Sequence, residues 1–383
     1  WLCFLFISIP GIGDLYSQEY VIPHVIPPSP EAQEFMKYMG YPVDQSTGVP
    51  QIEIPLYTIR TPNLELPIYL SYHASGIKPE DIASPVGLGW TLFSGGMVSR
   101  SVRGKPDENG LLINGVHTSE EIDDFDPWDY SNKPLINALI GYCSGLSDNE
   151  SDIYSYLVNK GISGNFIFDT DKNMVKTSLN NDSVFWNYTT GNWFRIIDEK
   201  GIQYYFEQKE IITINNGYYS APFSWHLTKI KYPDGNDSIC FEYFKNPYPY
   251  NKATANHTAY FNPIDGVDVC FHGPLGHISG GTQYDLGYFK IRECYSASEH
   301  VMINKISYTN GHIDFIYNNN RMDQRKHQLD SIKIYSSSPN DSVLLKQYYL
   351  NHSYFGDTSS SYTCRLRLDK VIEYDAKGAF INK

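Results

Sequence analysis

LPIYLSYHASGIKPEDIASPVGLGWTLFSGGMVSRSVR, residues Leu66 to Arg103, decides how the chain is built. Its opening, Leu66–Tyr72, alternates apolar with other side chains, the pattern of a strand buried on one face. A Gly- and Pro-marked turn spans Gly76–Pro85. Then comes Val86-Gly87-Leu88-Gly89-Trp90, where two glycines permit backbone angles and close approaches that a β-carbon forbids. Trp90 brings a large ring to a place where main chain can pack tightly. Gly95-Gly96 opens a second strand-like run, Met97–Val102, with Arg100 and Arg103 near its end. The stretch predicts a strand, a glycine corner anchored by Trp90 and a strand returning. A structural corner outweighs a ligand loop, because no glycine here falls in a phosphate-cradling GxGxxG or GxxxxGK(S/T) pattern.

Composition points the same way. The chain has 383 residues, long enough for two or three domains or one large β-architecture. Tyr (32) and Phe (19) are abundant while charged residues are 19%, and tyrosine suits a pleated surface with its ring half-buried and its hydroxyl wet. Twenty-nine glycines and 22 prolines supply frequent turns. The expected class is all-β: stacked antiparallel hairpins forming a large curved sheet or shell segment, with one or two short helices in an insertion. A net charge of −13 argues against a nucleic-acid partner, which needs a positive footprint.

Taken in order, residues 1–18 read as a truncated secretory signal. Trp1–Ile9 is short and apolar, Pro10–Gly13 breaks it, and Leu15-Tyr16-Ser17 suits a cleavage site, without the Met and basic start. Later runs fall short of the roughly 18 apolar residues of a membrane span. Residues 19–50 read as a Pro-rich linker with a helix-like interlude at Pro30–Tyr38. Residues 51–103 form the strand–corner–strand element, which Gln51–Arg60 opens as an edge or bulged strand because of Pro55. Residues 104–152 read as an acidic insertion: a turn at Lys105–Gly110, the run Ser119–Asp129 and a short helix at Lys133–Tyr142. The acidic run lacks the central Gly of a calcium loop and reads as a solvated face.

Residues 153–383 read as a β-hairpin array. Short strands are expected at Asp152–Leu157, Gly164–Phe168, Asn192–Ile197 and Gly201–Phe206. Lys229-Ile230-x-Tyr232-x-Asp234-Gly235, followed by Ile239-x-Phe241-x-Tyr243, is echoed by Lys305-Ile306-x-Tyr308-x-Asn310-Gly311 and Ile313-x-Phe315-x-Tyr317. Asp-Gly and Asn-Gly between alternating runs predict hairpins, with Asn310-Gly311 as a tight type I′ turn of positive φ. The grammar continues through Leu329–Tyr335 and Lys346–Leu350 to Leu368–Gly378, where Tyr374-Asp375 precedes Gly378.

Candidate chemistry is thin. His73 stands beside Ser71 and Ser75, and His226 two residues from Ser224, but neither has a GxSxG elbow or an acid at a telling distance, so half-buried, hydrogen-bonded histidines are expected. His257 is the third histidine near polar groups. No HExxH or CxxC occurs, and no cofactor or metal is expected. Cys240 reads as core, and Cys270 with Cys294 as a candidate disulfide. Trp128, Trp186 and Trp193 suit sugar stacking or, by default, sheet-face packing. Hydrolysis of glycosides needs two facing carboxylates, and the sequence selects no pair.

LPIYLSYHASGIK, VGLGW and GGMVSRSVRG, in that order, resemble the N-terminal region of secreted bacterial RHS/YD-repeat proteins. Tyr374-Asp375-x-x-Gly378 resembles the first of that family's YD repeats. A looser likeness extends to shell-forming components of Tc-type toxin complexes, which share a GLGW-like corner. The resemblance implies a non-enzymatic scaffold outside the bacterial cytoplasm. Gly87, Leu88, Gly89, Trp90, Gly95 and Gly96 would shape its corner, near Arg100 and Arg103. Its partners would be further RHS/YD repeats of the same polypeptide and a C-terminal toxin or adhesion module that the shell encloses or presents. The alternatives are a surface module binding glycans or proteins and, behind it, a secreted hydrolase.

Overall fold

The structure, a computed structural model, describes residues 48–74, 76, 83–103, 106–109, 112 and, from 150 on, all but 159–160, 170, 188–190, 215–218, 247–250, 260–287, 324–326, 339–340, 360, 362 and 383. Its strands lie in Gln51–Lys383, the second of two units. The apolar opening, almost all of the Pro-rich linker, the acidic run, the helix-like stretch after it, Trp128 and Cys270 lie outside the described residues, as do the side chains of His257 and Cys294.

Three strands form a small sheet: β1 (Gln51–Arg60), β2 (Glu65–His73) and β3 (Trp90–Phe93), with β2 central. The register of β1 on β2 shifts between Pro55 and Tyr57, the bulge that a missing N–H invites. The strand that returns on β2 is β3, pairing Tyr72 with Trp90 and Tyr69 with Phe93. The run expected to return, β4 (Gly96–Ser101), crosses to a second, sixteen-stranded sheet instead. Gly96 permits the crossing: a β-carbon there would lie 2.5 Å from the Leu157 carbonyl oxygen.

In the large sheet, β4 pairs with β5 (Ile153–Val158), which pairs with β6 (Ile162–Phe168), and that with β7 (Met174–Lys176). On the other flank of β4 come β8 (Ser183–Asn187), β9 (Trp193–Ile197), β10 (Gln203–Ile214) and β11 (Tyr219–Lys231), with β4 paired to β11. Then follow β12 (Ser238–Asn246), β13 (Asn251–Ala259) and β14 (Tyr288–Tyr308). From β14 the sheet meanders through β15 (Gly311–Asn318), β16 (Gln328–Ser338), β17 (Asp341–Phe355), β18 (Arg365–Asp375) and β19 (Phe380–Asn382).

The sheet forks at the β10–β11 hairpin. One edge of β11 is shared between β4, at Ser224–His226, and β12, at Lys229–Lys231. The far edge of β10 is likewise shared between β9, at Gln203–Phe206, and β14, at Ile211–Ile214. Register shifts along the hairpin, at Tyr205/Phe206, Phe206/Gln208 and Glu210/Ile211, give the extra twist that two diverging arms need.

Alternation sets what each face buries. In the first arm Tyr154, Phe166, Phe168, Phe194 and Trp225 are buried and converge from β5, β6, β9 and β11. Phe194 meets Trp225 edge-on at 4.8 Å between ring centroids, and Tyr154 stacks on Phe166 at 5.0 Å. Each such ring stabilises the fold by about 1.5–3 kcal/mol on burial, with geometry adding roughly 0.5–1.5 kcal/mol per pair. Trp186, half-buried, joins this cluster at 4.4 Å from Phe168, so its ring is packing surface. The core continues through Ile239, Phe241, Ile306, Ile313, Phe315, Ile332 and Ile334. Cys240 points away from that row and is half-buried.

The two echoed hairpins lie side by side, because β12 pairs with β14 (Phe241 with Ile306). The second turns through Thr309 and Asn310, with Tyr308 paired to Gly311, and neither Asn310 nor Gly311 has positive φ. The type I′ expectation fails there because the glycine closes the turn and leaves β-branched Thr309 and Asn310 as its central residues, neither with positive φ. A β-carbon on Gly311 would meet the Tyr335 carbonyl oxygen at 2.2 Å, so this glycine serves close approach of β16. Gly235, at φ +80°, is the one that turns, donating its N–H to the Tyr232 carbonyl.

One turn recurs three times. Asp375, Asp198 and Asp169 each accept two main-chain N–H groups on one side-chain oxygen, two and four residues on. In each, the fourth residue, Gly378, Gly201 or Lys172, adopts positive φ and donates its N–H to the aspartate's carbonyl. The Asp side chain thereby replaces solvent for the turn's orphan donors, and glycine removes the strain of the left-handed step. This is the physical content of the Tyr-Asp-x-x-Gly motif, and it joins β18 to β19, β9 to β10 and β6 to β7.

Candidate functional site

The glycine–tryptophan corner is a docking joint. Gly87 (φ +144°) lies so close to β18 that a β-carbon would stand 2.8 Å from the Leu368 nitrogen, while Leu88 donates its N–H to the Leu366 carbonyl at 2.8 Å. Gly89 (φ +78°) is pressed on the Tyr72 ring, where a β-carbon would come within 2.6 Å. Trp90 tilts against the same ring, 5.1 Å between centroids. Ser84 knits the turn, donating its hydroxyl to the Trp90 carbonyl and accepting from the Val86 N–H. Gly95 packs against Phe241 and Leu227.

A buried ion pair carries this joint. Arg321 and Asp323 come from the connection between β15 and β16, and both are buried. All five guanidinium N–H groups have acceptors: both Asp323 oxygens, and the carbonyls of Ser84 (3.0 Å), His327 (3.2 Å) and Ala83 (2.7 Å). Asp323 in turn accepts the Leu366 N–H at 3.0 Å. His352 on β17 donates Nε2–H to the Val86 carbonyl at 2.9 Å, and burial pushes its pKa down, so the ring is held neutral.

Arg100 occupies a second buried cluster, in the first arm. It pairs with Glu108 and bonds the Tyr154 hydroxyl at 3.2 Å, with its guanidinium 5.7 Å from the Trp225 ring centre. Its Nε stands 3.6 Å from Asp152, beyond hydrogen-bond reach, and Nε and Nη2 have no hydrogen-bond partner among the described residues. Asp107 sits in a single 3-10 turn, Asp107–Asn109, within what the sequence marks as a plain turn. Asp107 and Asp152 accept one another's main-chain N–H, at 2.9 and 3.1 Å, and both are fully buried. Burial pushes Asp107 up to about 6, and burial with the neighbouring Asp107 charge pushes Asp152 up to about 7. Arg103 donates its main-chain N–H to Asp152, while its exposed side chain pairs with Glu150.

Raised carboxylates of this kind mark functional sites elsewhere. Here their oxygens are already taken: Asp107 by the Asp152 N–H and the Tyr154 hydroxyl, Asp152 by the N–H groups of Arg103 and Asp107. They tie residue 107 to residue 152, and neither lines the two hollows described below.

Two serine–histidine–acid groupings occur, and neither has the geometry of a relay, in which a histidine uses one nitrogen for each partner. At His226 the same atom, Nε2, faces Ser224 Oγ and Glu210 Oε2, both at 3.4 Å. At His312, Nδ1 meets Ser337 Oγ at 3.1 Å but Nε2 is 3.7 Å from Asp314. His226 is half-buried and hydrogen-bonded, as expected; His73 is exposed at the end of β2.

Two hollows are notable. A cleft of about 580 Å³ lies between β1 and β18, lined by Ile54, Pro55, Trp90, Leu368 and Val371. A larger groove, about 820 Å³, collects the turns at one end of the strands. Among the described residues no cluster of three metal-ligating side chains occurs, and no helix is long and apolar enough to cross a membrane.

No protein-family model matches the chain, and no curated protein does. Among solved structures it is similar to the N-terminal domain of the effector protein SpvB from Salmonella typhimurium strain LT2, at 10% identity and a TM-score of 0.41 over 85% of this chain and 98% of that one, a likeness too distant to carry a functional argument.

Proposed function

We propose that this chain is wall material: a non-enzymatic N-terminal β-scaffold of an exported RHS/YD-repeat protein, whose large sheet is extended by further repeats of the same polypeptide and helps enclose or present a C-terminal toxin or adhesion module. The observation that carries this is the sparse pairing of the meander's last two strands. β19 pairs with β18 only through Glu373 and Tyr374, and it leaves Phe380 and Ile381 60% and 50% exposed. The rings of Tyr349, Tyr374 and Phe380 step across β17, β18 and β19 at 5.6 and 6.3 Å, so the next strand would continue a ladder already begun. Among the described residues β19 is last in the sheet's strand order, and an edge strand invites a further strand. The misaligned histidines and occupied carboxylates described above support a structural role.

Hydrogen exchange tests it. In the chain alone, amides of Phe380–Asn382 and of the outer edge of β18 beyond Leu368, where the corner no longer covers it, should exchange fast, and the protein should self-associate with rising concentration. Ile381→Lys should suppress the association without lowering stability. Slow exchange across β18–β19 in a monodisperse sample would sink the proposal.

A further inference from the structure

The larger groove is built by five turns from one end of the strands: β1–β2 at Asn63, β5–β6 at Gly161, β7–β8 at Asn180–Asp182, β9–β10 at Asp198–Lys200, and β11–β12 at Tyr232. Its walls are held in place before any ligand arrives. Asp237, buried, accepts the Thr61 hydroxyl (2.6 Å), the Asn63 N–H (2.8 Å) and the Thr309 hydroxyl (3.3 Å), tying three turns together. Lys176 donates to the carbonyls of Asn180 and Asp182. Asn180 is fixed by bonds from Nδ2 to the Tyr156 hydroxyl and the Ser163 carbonyl, and its buried Oδ1 has no protein donor.

The lining chemistry selects a ligand class. An anion needs arginine or lysine, and Lys200 is the one cation among the described lining residues. A cation would seek free carboxylates. Asp198 already accepts from two main-chain N–H groups and the Tyr204 hydroxyl, Asp182 accepts from Tyr156, and Glu65 pairs with Arg60 at 3.2 Å, which leaves Glu199 as a single exposed carboxylate. What is left among the described residues is the pair of exposed amides Asn63 and Asn181, each side chain carrying donor and acceptor together, with Glu199 and Lys200 supplying one exposed charge of each sign and Tyr232 a half-buried ring. Paired donors and acceptors match the vicinal hydroxyls of a sugar, and a tyrosine ring suits its C–H face. The volume lies within the roughly 300–1,000 Å³ of small-ligand sites.

We infer that this groove binds a neutral oligosaccharide, an activity independent of the wall role. The test is titration calorimetry with maltotriose, cellotriose and tri-N-acetylchitotriose, and with 3′-sialyllactose and spermine as charged probes. At least one neutral trisaccharide should bind at millimolar affinity or tighter, and more tightly than either charged probe. Asn63→Ala with Asn181→Ala should weaken that binding by about tenfold or more while the melting temperature stays unchanged, since both side chains are exposed. The inference is overturned if none of the three neutral sugars binds, if the double variant binds as the parent does, or if spermine or sialyllactose binds best. Edge pairing at β19 would be untouched by any of these results.

Discussion

Arg321 and Arg100 are both buried in this sheet, and they are satisfied to different degrees. Arg321 has an acceptor for each of its five N–H groups, three of them main-chain carbonyls, and sits on an aspartate that is itself bonded to β18. Arg100 leaves Nε and Nη2 without hydrogen bonds among the described residues, and its acidic neighbours are raised toward neutrality. The first arginine is a rivet between the small sheet and the meander. The second is a partly neutralised clasp inside one arm, where burial outweighs the attraction of the cation. Burial alone therefore says little about what a charge contributes; completeness of its bonding decides.

The largest effect expected from this contrast is at the rivet. Arg321→Met should cost about 3–5 kcal/mol in urea unfolding, because Asp323 is left charged and buried. Arg100→Met should cost less, roughly 1–3 kcal/mol, since its carboxylates can take up protons. Equal costs would erase the distinction. Gly87→Ala combines positive φ with a clash against the Leu368 nitrogen, and about 2–5 kcal/mol is expected. Gly378→Ala, where nothing lies within 4 Å of the added carbon, should cost about 1 kcal/mol.

Acidity should sharpen the comparison by acting on the two regions with opposite sign. Asp107 and Asp152 have folded pKa values raised to about 6 and about 7. Their contribution is therefore full below the unfolded value near ~4, falls as pH rises from there, and is gone once pH has passed through 6–7. His352 has a lowered folded pKa, so its contribution holds above ~6.5 and is lost as pH falls. Asp152→Asn should flatten the alkaline-side loss, and His352→Gln the acid-side loss, in stability measured from pH 5 to 8. A shared direction for both variants would break the assignment. At the recurring turn, Asp198→Ala, which also loses the Tyr204 bond, should cost about 1–3 kcal/mol, and half-buried Asp375→Ala, the smallest effect, about 0.5–1.5 kcal/mol in the same assay.

Alternation made most strands legible: β2, β5, β9, β12 and β15 fall where Ile, Phe and Tyr recur at every second position. β10 and β17 run well past the expected ends, through Lys209-Glu210 and Asn351-His352, because neighbouring strands rather than their own side chains hold those stretches. The corner was readable from its glycines, although which strand returns was not. Gly96 gives no hint in sequence that the chain changes sheets there. Arg321 and Asp323 were invisible: in NNNRMDQRKH they look like a solvated loop, and only folding brings Ala83 and Ser84 beside them. Asp107 and Asp152 stand 45 residues apart and carry no joint signature. The groove's turns come from five places, and its Asn residues look like ordinary turn residues. Asp198-x-x-Gly201 shares the spacing of Tyr374-Asp375-x-x-Gly378, but Asp169-x-x-Lys172 lacks the glycine, and only the fold shows the three turns to be alike.

The fork at β10–β11 has a thermal consequence. Each of these strands lends one edge to both arms, so melting of the shared hairpin strips hydrogen bonds from both at once. Heating should therefore give a single calorimetric peak whose van't Hoff and measured enthalpies agree, and nicking one arm should lower the melting point of both.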